Sequence, residues 1–318
     1  MTKYSAFCCY FGKWPSHFQF WLDSCRDNKG ITFFLVSDIP VDGYRIPENV
    51  CLIKMSFAGV RELIASKFPE IDICLDRPYK LCDFKTAYGY IFDTYCKGFE
   101  YWGFYDIDTL WGNIGKFIPS NEDNRLVKIF PCGHLCFIKN TAPWNKVYEL
   151  VNQVASTPCR NNMEGKKVAT WQECFSSPDS HYYDEEGGLE PLFSSLKEPI
   201  YGGVDFDNIL PPWRFDHFYS INFPEKSHFL VYGFRDGVLK RYYLRGWKIC
   251  AEEISYLHFS KRQMKISAHN DGAFSVVPDS ILPEKKWKLL DILFYGRPRY
   301  LGNMARRLLR RFDTSRKV

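Results

Sequence analysis

The sequence predicts an α/β fold, a mostly parallel central sheet flanked by helices, with β-hairpin additions in its C-terminal half. Three observations carry that expectation. Apolar strand-like runs alternate with helix-period segments through the first hundred residues. The run "ITFFLVSD" is apolar almost throughout until it closes on Asp38, as a strand buried on both faces should look. From about residue 200 to 256, aromatic and polar residues alternate, as in "FLVYGFRDGVLKRYYL", the two-faced pattern of antiparallel hairpins.

Taken in order, residues 4–11 form a first strand ending at Gly12. Pro15 suits the first turn of a helix, and Phe18, Trp21, Leu22 and Cys25 give that helix one apolar face. "DNKG" stops it, with Gly30 as a left-handed cap. A second cycle follows in "VCLIKMS" and "AGVRELIASKF", strand then helix. Phe84, Tyr88 and Ile91 recur at helical spacing and predict a helix from about Asp83 to Cys96. The strand "EYWGFY" comes next, then a strand pair in "LVKIF" and "HLCFIKN", and an amphipathic helix in "WNKVYELVNQV". Residues 157–190 read as polar and loop-rich.

Bulk properties exclude more than they establish. With 318 residues, 46% hydrophobic and 25% charged, the chain has the composition of a soluble globular protein. Aromatics reach 18%, which suits both core packing and platforms for sugar rings. A net charge of +5 is too small to argue for nucleic acid, and no apolar run approaches the ~20 residues of a spanning helix. The 12 cysteines are scattered, without repeated C-x-x-C pairs, which predicts reduced thiols and a cytoplasmic protein. Cys132, His134 and Cys136 in "PCGHLC" alternate as on one strand face but lack an obvious fourth ligand, so they read as core and site-lining residues.

The stretch that asks for an explanation is "YWGFYDIDTLWGNI", where Asp106 and Asp108 sit one residue apart in an apolar run. Carboxylates removed from water are costly unless paired or bound to a cation. Their predicted place is the C-terminal end of a strand, the edge of an open α/β sheet where ligands bind. Two carboxylates converging there suit a hard divalent ion, Mg²⁺ or Mn²⁺, which leaves room for phosphate oxygens.

The same string, preceded by "KLCDFKTAYGYIF", resembles a family of bacterial GT-A-type glycosyltransferases with a D-x-D motif, found in surface and capsular polysaccharide gene clusters. "YFGKWP…WLDSCRDN…FFLVSD", "PCGHLCFIKN" and "YLHFSKRQM" match further blocks of that family, so the resemblance spans roughly residues 4–265. Thr86 stands where the family has proline, and Asn113 where it often has aspartate. The resemblance implies a GT-A-like domain over 1–265, with a nucleotide-sugar-binding half (1–115) and an acceptor-facing half (116–265), followed by an extension (266–318). It implies a metal-dependent transfer from a nucleotide-diphosphate sugar to a glycan or lipid-linked acceptor. Asp106, Asp108 and His258 would hold the metal. Asp38, Asp83, Lys85, Asp106, Lys261 and Arg262 would bind the donor.

A displacement of this kind needs a carboxylate base, and "HYYDEEGGLEPLF" offers Asp184 and Glu185, not separable from sequence. His134 is the acceptor-facing candidate. Whether the transfer retains or inverts configuration is left open, as are sugar, nucleotide and acceptor. Two other classes compete. "YDIDTL" is superficially like the D-x-D-x-T nucleophile loop of haloacid-dehalogenase-type phosphatases, although at least two strand–helix cycles precede it here. A non-catalytic carbohydrate-binding protein would explain the aromatics but not the carboxylate pair. Finally, "RPRYLGNMARRLLRRFDTSRKV" sets Leu301, Met304, Leu308 and Leu309 on one stripe of a basic helix, suited to the anionic inner face of the plasma membrane.

Overall fold

A computed structural model describes residues 3–119, 126–157, 167–181, 183–184, 188–209, 218–220, 229–260, 262–269 and 272–296. In chain order these give β1 (Tyr4–Cys9), α1 (Phe18–Arg26), β2 (Ile31–Ser37), β3 (Val50–Lys54) and α2 (Phe57–Lys67). A 3₁₀ run (Pro78–Ala87) passes into the single turn α3 (Tyr88–Ile91), followed by β4 (Tyr101–Tyr105) and β5 (Thr109–Trp111). Next come β6 (Lys128–Ile129), β7 (Leu135–Lys139), α4 (Val147–Leu150), α5 (Trp171–Ser176), α6 (Leu189–Ser195) and β8 (Ile200–Tyr201). The remainder is mainly strand: β9 (Phe206–Ile209), β10 (Phe218–Ser220), β11 (Val231–Arg235), β12 (Val238–Arg245) and β13 (Lys248–Glu253). The last elements are β14 (Tyr256–His258), β15 (Lys265–Ile266), β16 (Ala273–Val277), β17 (Ser280–Pro283) and α7 (Leu289–Tyr295).

The protein is therefore mixed α/β, and it divides into two compact units. The first comprises residues 1–14, 29–107 and 118–203, the second 15–28, 108–117 and 204–318. That division does not follow the halves expected at 115/116.

In the first unit the described strands form one sheet in the order β3-β2-β1-β4-β7-β6-β8. β3, β2, β1 and β4 run parallel, whereas β7 is antiparallel to both β4 and β6. All seven residues of β2 are buried, as its unbroken apolar run requires. Phe7 of β1 stacks between Phe34 and Phe92, at ring-centroid distances of 4.9 and 5.1 Å. Val60 and Ile64 of α2, Phe84, Tyr88, Trp171 and Phe175 share that core. The predicted helix 83–96 is a correction. Phe84, Tyr88 and Ile91 are all buried, but the backbone is 3₁₀ up to Ala87 and α-helical for only one turn. A spacing of three or four residues satisfies both helix types, so burial pattern alone does not separate them.

The second unit holds α1, a sheet of order β10-β9-β14-β5 and a sheet of order β13-β12-β11-β16-β17-β15. The helix placed by sequence between the first two parallel strands thus packs elsewhere. Trp111 N donates to Ser24 Oγ (3.2 Å), and Asn28 bridges Gly112 O (2.9 Å) and Ile114 N (2.9 Å). Gly30 is not in the left-handed region, so the predicted glycine cap is also corrected: α1 ends at Asp27 in right-handed geometry. The hairpin β11–β12 turns on Asp236 and Gly237, with φ of +49° and +78°, the two left-handed residues of a tight hairpin turn. On β12, Arg241 is buried and its guanidinium meets Asp205 (2.9 Å), Asp207 (3.1 Å) and Glu252 (2.8 Å). Among the described residues no helix is long and apolar enough to cross a membrane. The basic segment 297–318 lies outside the described residues.

Gly103 is the position at which the central sheet tolerates no side chain, because a Cβ there would run into the carbonyl oxygen of Cys136 on β7. Gly103→Ala should destabilise the protein by roughly 2 kcal/mol or more through overpacking. Urea unfolding followed by tryptophan fluorescence checks this, and an unchanged midpoint would contradict the β4–β7 pairing.

Candidate functional site

The candidate site in the first unit grows from the carboxyl end of β4. The chain runs β1, β2, β3 outward in one direction and then returns to place β4 on the other side of β1. The reversal between β1 and β4 is a topological switch point, where open parallel sheets leave a crevice beyond the strand ends. Asp106 is the first residue past β4, and its backbone N–H donates to His134 O (3.1 Å) in the turn that leads into β7. Its side chain stays partly exposed, at 30%.

Lys85 reaches this point from the 3₁₀ run. Its Nζ donates to Asp106 Oδ1 (2.8 Å), Asp184 Oδ2 (3.0 Å) and the Gly133 carbonyl (3.0 Å), which uses all three of its protons. It also lies over the Phe104 ring, 5.5 Å from the centroid. Burial pulls the Lys85 ammonium down, but Asp106 and Asp184 outweigh it and hold it well above its usual range. Burial, joined by Asp106 and opposed by Lys85, holds the Asp184 carboxyl above the usual carboxylate range. One ammonium therefore serves two carboxylates, and the cluster is short of positive charge.

The period of the 3₁₀ run explains why Lys85 and Asp83 part company. Residues three apart eclipse one another in this helix, so Lys80 and Asp83 share one edge while Lys85 lies on another. Lys80 Nζ meets Asp83 Oδ2 at 2.7 Å, and both side chains are fully buried. Lys80 also donates to Cys174 O (2.7 Å) and Asp179 O (2.5 Å), while Asp83 accepts from the backbone N–H of His181 (3.1 Å) and Tyr183 (3.1 Å). Asp83, expected to face a donor, thus has both oxygens occupied in pinning the segment that delivers Asp184 to Lys85. Asp83, Cys174 and His181 are close enough to suggest a metal site, but the Lys80 ammonium already supplies the cation there. Lys80 is the residue that sequence reasoning missed; its signal was the i, i+3 lysine–aspartate pair in "KLCD".

The second unit holds an aspartate–histidine pair of its own. β14 lies antiparallel to β5 with His258 opposite Thr109, which brings the imidazole beside Asp108. His258 Nε2 is 3.2 Å from Asp108 Oδ1, and Phe259 N donates to Asp108 O (2.7 Å). His258 is buried and Asp108 half-buried.

The other expected site residues scatter. Asp38 follows β2 and is exposed at the carboxyl edge of the parallel strands. Two strand spacings, roughly 10 Å, separate β2 from β4 across β1. Arg262, expected to hold phosphate, is buried with Nη1 donating to Pro278 O (3.1 Å). Lys261 and Glu185 lie outside the described residues. Cys132 and His134 occupy the turn ahead of β7 and only Cys136 is within it, so the three do not form one strand face. None of the cysteines among the described residues is in a disulfide.

Fold and site together define a mixed α/β protein with a lysine-bridged carboxylate pair at the switch point of a parallel strand set. A family model matches residues 6–285, so the chain belongs to the family of unknown function DUF6625. No curated protein matches it.

Two outcomes follow from the buried charges. Lys80→Met should destabilise by roughly 3–5 kcal/mol, because it strands the Asp83 carboxylate without its cation; adding Asp83→Asn should recover part of the loss in urea melts. Asp184 has its folded pKa raised, so it favours the folded state in acid, and that contribution is lost as pH rises through the folded value. Asp184→Asn should therefore flatten the fall in stability as pH rises above the ordinary carboxylate range of about 4, the side toward which the shift points. An unaltered profile would place the titration elsewhere.

Proposed function

We propose that the protein transfers a sugar from a nucleotide-diphosphate sugar to a glycan or lipid-linked glycan acceptor, on a GT-A-like framework and with a divalent cation, Mn²⁺ or Mg²⁺. The observation that carries this reading is the position of Asp106 at the β1/β4 switch point, in a cluster where two carboxylates share one ammonium. The resemblance of the flanking "KLCDFKTAYGYIF" and "YLHFSKRQM" blocks to polysaccharide glycosyltransferases turns that general anion-and-cation site toward sugar donors.

The donor set suits the cation. Asp106 and Asp108 are the two carboxylates of the D-x-D stretch, and within the second unit His258 lies beside Asp108. Two carboxylate oxygens and an imidazole nitrogen are acceptable to Mn²⁺, while Mg²⁺ prefers an all-oxygen set. The cation would supply positive charge opposite the diphosphate leaving group. Lys85 fixes the Asp106 carboxylate in orientation and offers a point charge at the same edge. Asp38, exposed two strands away, is the candidate for contact with the nucleoside. Asp184 is the base candidate among the described residues, its raised pKa bringing a carboxyl nearer to neutrality, as proton acceptance at that pH favours.

Calorimetric titration of common nucleotide-diphosphate sugars should show binding that needs Mn²⁺ and is reversed by chelator. Asp108→Asn should weaken metal-dependent donor binding at least tenfold and abolish transfer. Full transfer in chelator would remove the cation from the reading. Hydrolysis of a simple phosphomonoester, with no turnover of nucleotide-sugars, would favour the dehalogenase-type alternative.

A further inference from the structure

We infer that the outer face of the six-stranded sheet in the second unit, with α7 across it, docks on an anionic lipid bilayer. β12 presents its two faces differently. Leu239, Arg241 and Tyr243 are buried on one side, while Tyr242 and Leu244 point to the other and pack with Trp287, Ile292 and Tyr295 around α7. α7 buries Ile292 and turns Leu290 and Phe294 outward, 76% and 57% exposed. These are i and i+4 on the helix, hence one stripe. Ile249 of β13 pairs in register with Leu244, so its side chain projects from the same sheet face, and it is 40% exposed.

The β12–β13 turn carries Gly246 at φ +58° and then Trp247, which is 81% exposed. A tryptophan that exposed at a hairpin tip covers nothing in its own unit. Exposed lysines accompany these groups: Lys286 and Lys288 precede α7, while Arg245 and its register partner Lys248 flank the tip from the opposite sheet face. The nearby acids are engaged, Glu284 with Arg235 and Asp291 with the Lys288 backbone N–H.

Charge selects the occupant. Residues 297–318, which follow α7 directly, contain eight Arg or Lys and one Asp, 8 − 1 = +7, while the whole chain is +5. Residues 1–296 therefore sum to 5 − 7 = −2, and the basic character is concentrated at the end of the chain that α7 begins. Aromatic and aliphatic groups beside lysine and arginine, on a body that is otherwise net negative, complement an anionic interface: apolar groups enter the acyl boundary and the cations meet the headgroups. The inference stands apart from the sugar-transfer reading, since vesicle binding is measured without a donor.

The test is flotation of the full chain with phosphatidylglycerol-containing vesicles and with pure phosphatidylcholine vesicles, at low and high salt. Binding is expected with the anionic vesicles only, and weaker in high salt. Leu290→Asp with Phe294→Asp should reduce it at least tenfold, and Trp247→Ser, at a turn tip outside any core, threefold or more. Thermal melts establish that both variants fold, and the Trp247 variant keeps the test decisive if the double variant does not. Absence of binding, equal binding to both vesicle types, or folded variants that bind as the wild type does would each overturn the inference. So would concentration-dependent dimerisation lost in the Leu290 and Phe294 variant without any vesicle binding.

Discussion

The Lys85 ammonium is the constraint on which the first unit's candidate site depends. Its three hydrogen bonds draw together the end of β4, the turn before β7 and the segment that follows α5. Without it, Asp106 and Asp184 would be like charges in a partly buried place, and each would favour protonation or displacement. Lysine suits this role because it is a compact charge on a flexible stem, able to meet three acceptors from different directions. The second lysine of the same 3₁₀ run performs the complementary task. Lys80 and Asp83 close a fully buried pair that holds the backbone at Asp179, His181 and Tyr183, so that Asp184 arrives at Lys85 already oriented. Two lysines five residues apart, separated by the three-residue period, thus build one site from two edges of one short element.

Much of this fold was legible because hydrophobic continuity is a strong signal. The unbroken run of β2 and the aromatic run of β4 could be little else than buried strands, and Asp106 at the strand end followed from where that run stops. The alternation in "FLVYGFRDGVLKRYYL" likewise became the β11–β12 hairpin. What was not legible depends on tertiary choice. Nothing in the apolar face of α1 says whether it covers the parallel sheet or packs on β5, because both partners offer apolar surface. The 3₁₀ geometry of residues 78–87 was hidden for a related reason: a buried stripe constrains which residues face inward, not whether the backbone bond spans three residues or four.

The candidate site divides along the same line. The types of Asp106, Asp108 and His258 made them ligand candidates in the sequence, and the pairing of β5 with β14 accounts for the nearness of Asp108 and His258. The donor role that the resemblance implies for Asp83 meets a side chain whose oxygens are engaged by Lys80 and by the backbone of His181 and Tyr183, away from Lys85. Alternate residues on a 3₁₀ helix diverge by more than a right angle, and only the identity of the i, i+3 partner, here Lys80, reveals which way a side chain is committed. Arg262 is a further case: its chemistry suits phosphate, and the structure buries it with Nη1 donating to the Pro278 carbonyl.

The molecule contains a second cation enclosed by acids, and the contrast explains why only one of the two reads as a site. Arg241 meets Asp205, Asp207 and Glu252, and Glu252 also accepts from Tyr243 (2.6 Å). A planar guanidinium offers five donors, enough to engage several carboxylates within one rigid fork. That cluster sits in mid-strand on β12, where the residues to either side are committed to sheet pairing. Lys85 has only three protons, all used, and its Asp106 partner lies beyond a strand end with a partly exposed carboxylate. An acid cluster gathered on its own cation in mid-strand is committed to holding that sheet together. One at an open strand end where the chain reverses direction, with the Asp106 carboxylate partly exposed, still has coordination capacity to offer a ligand.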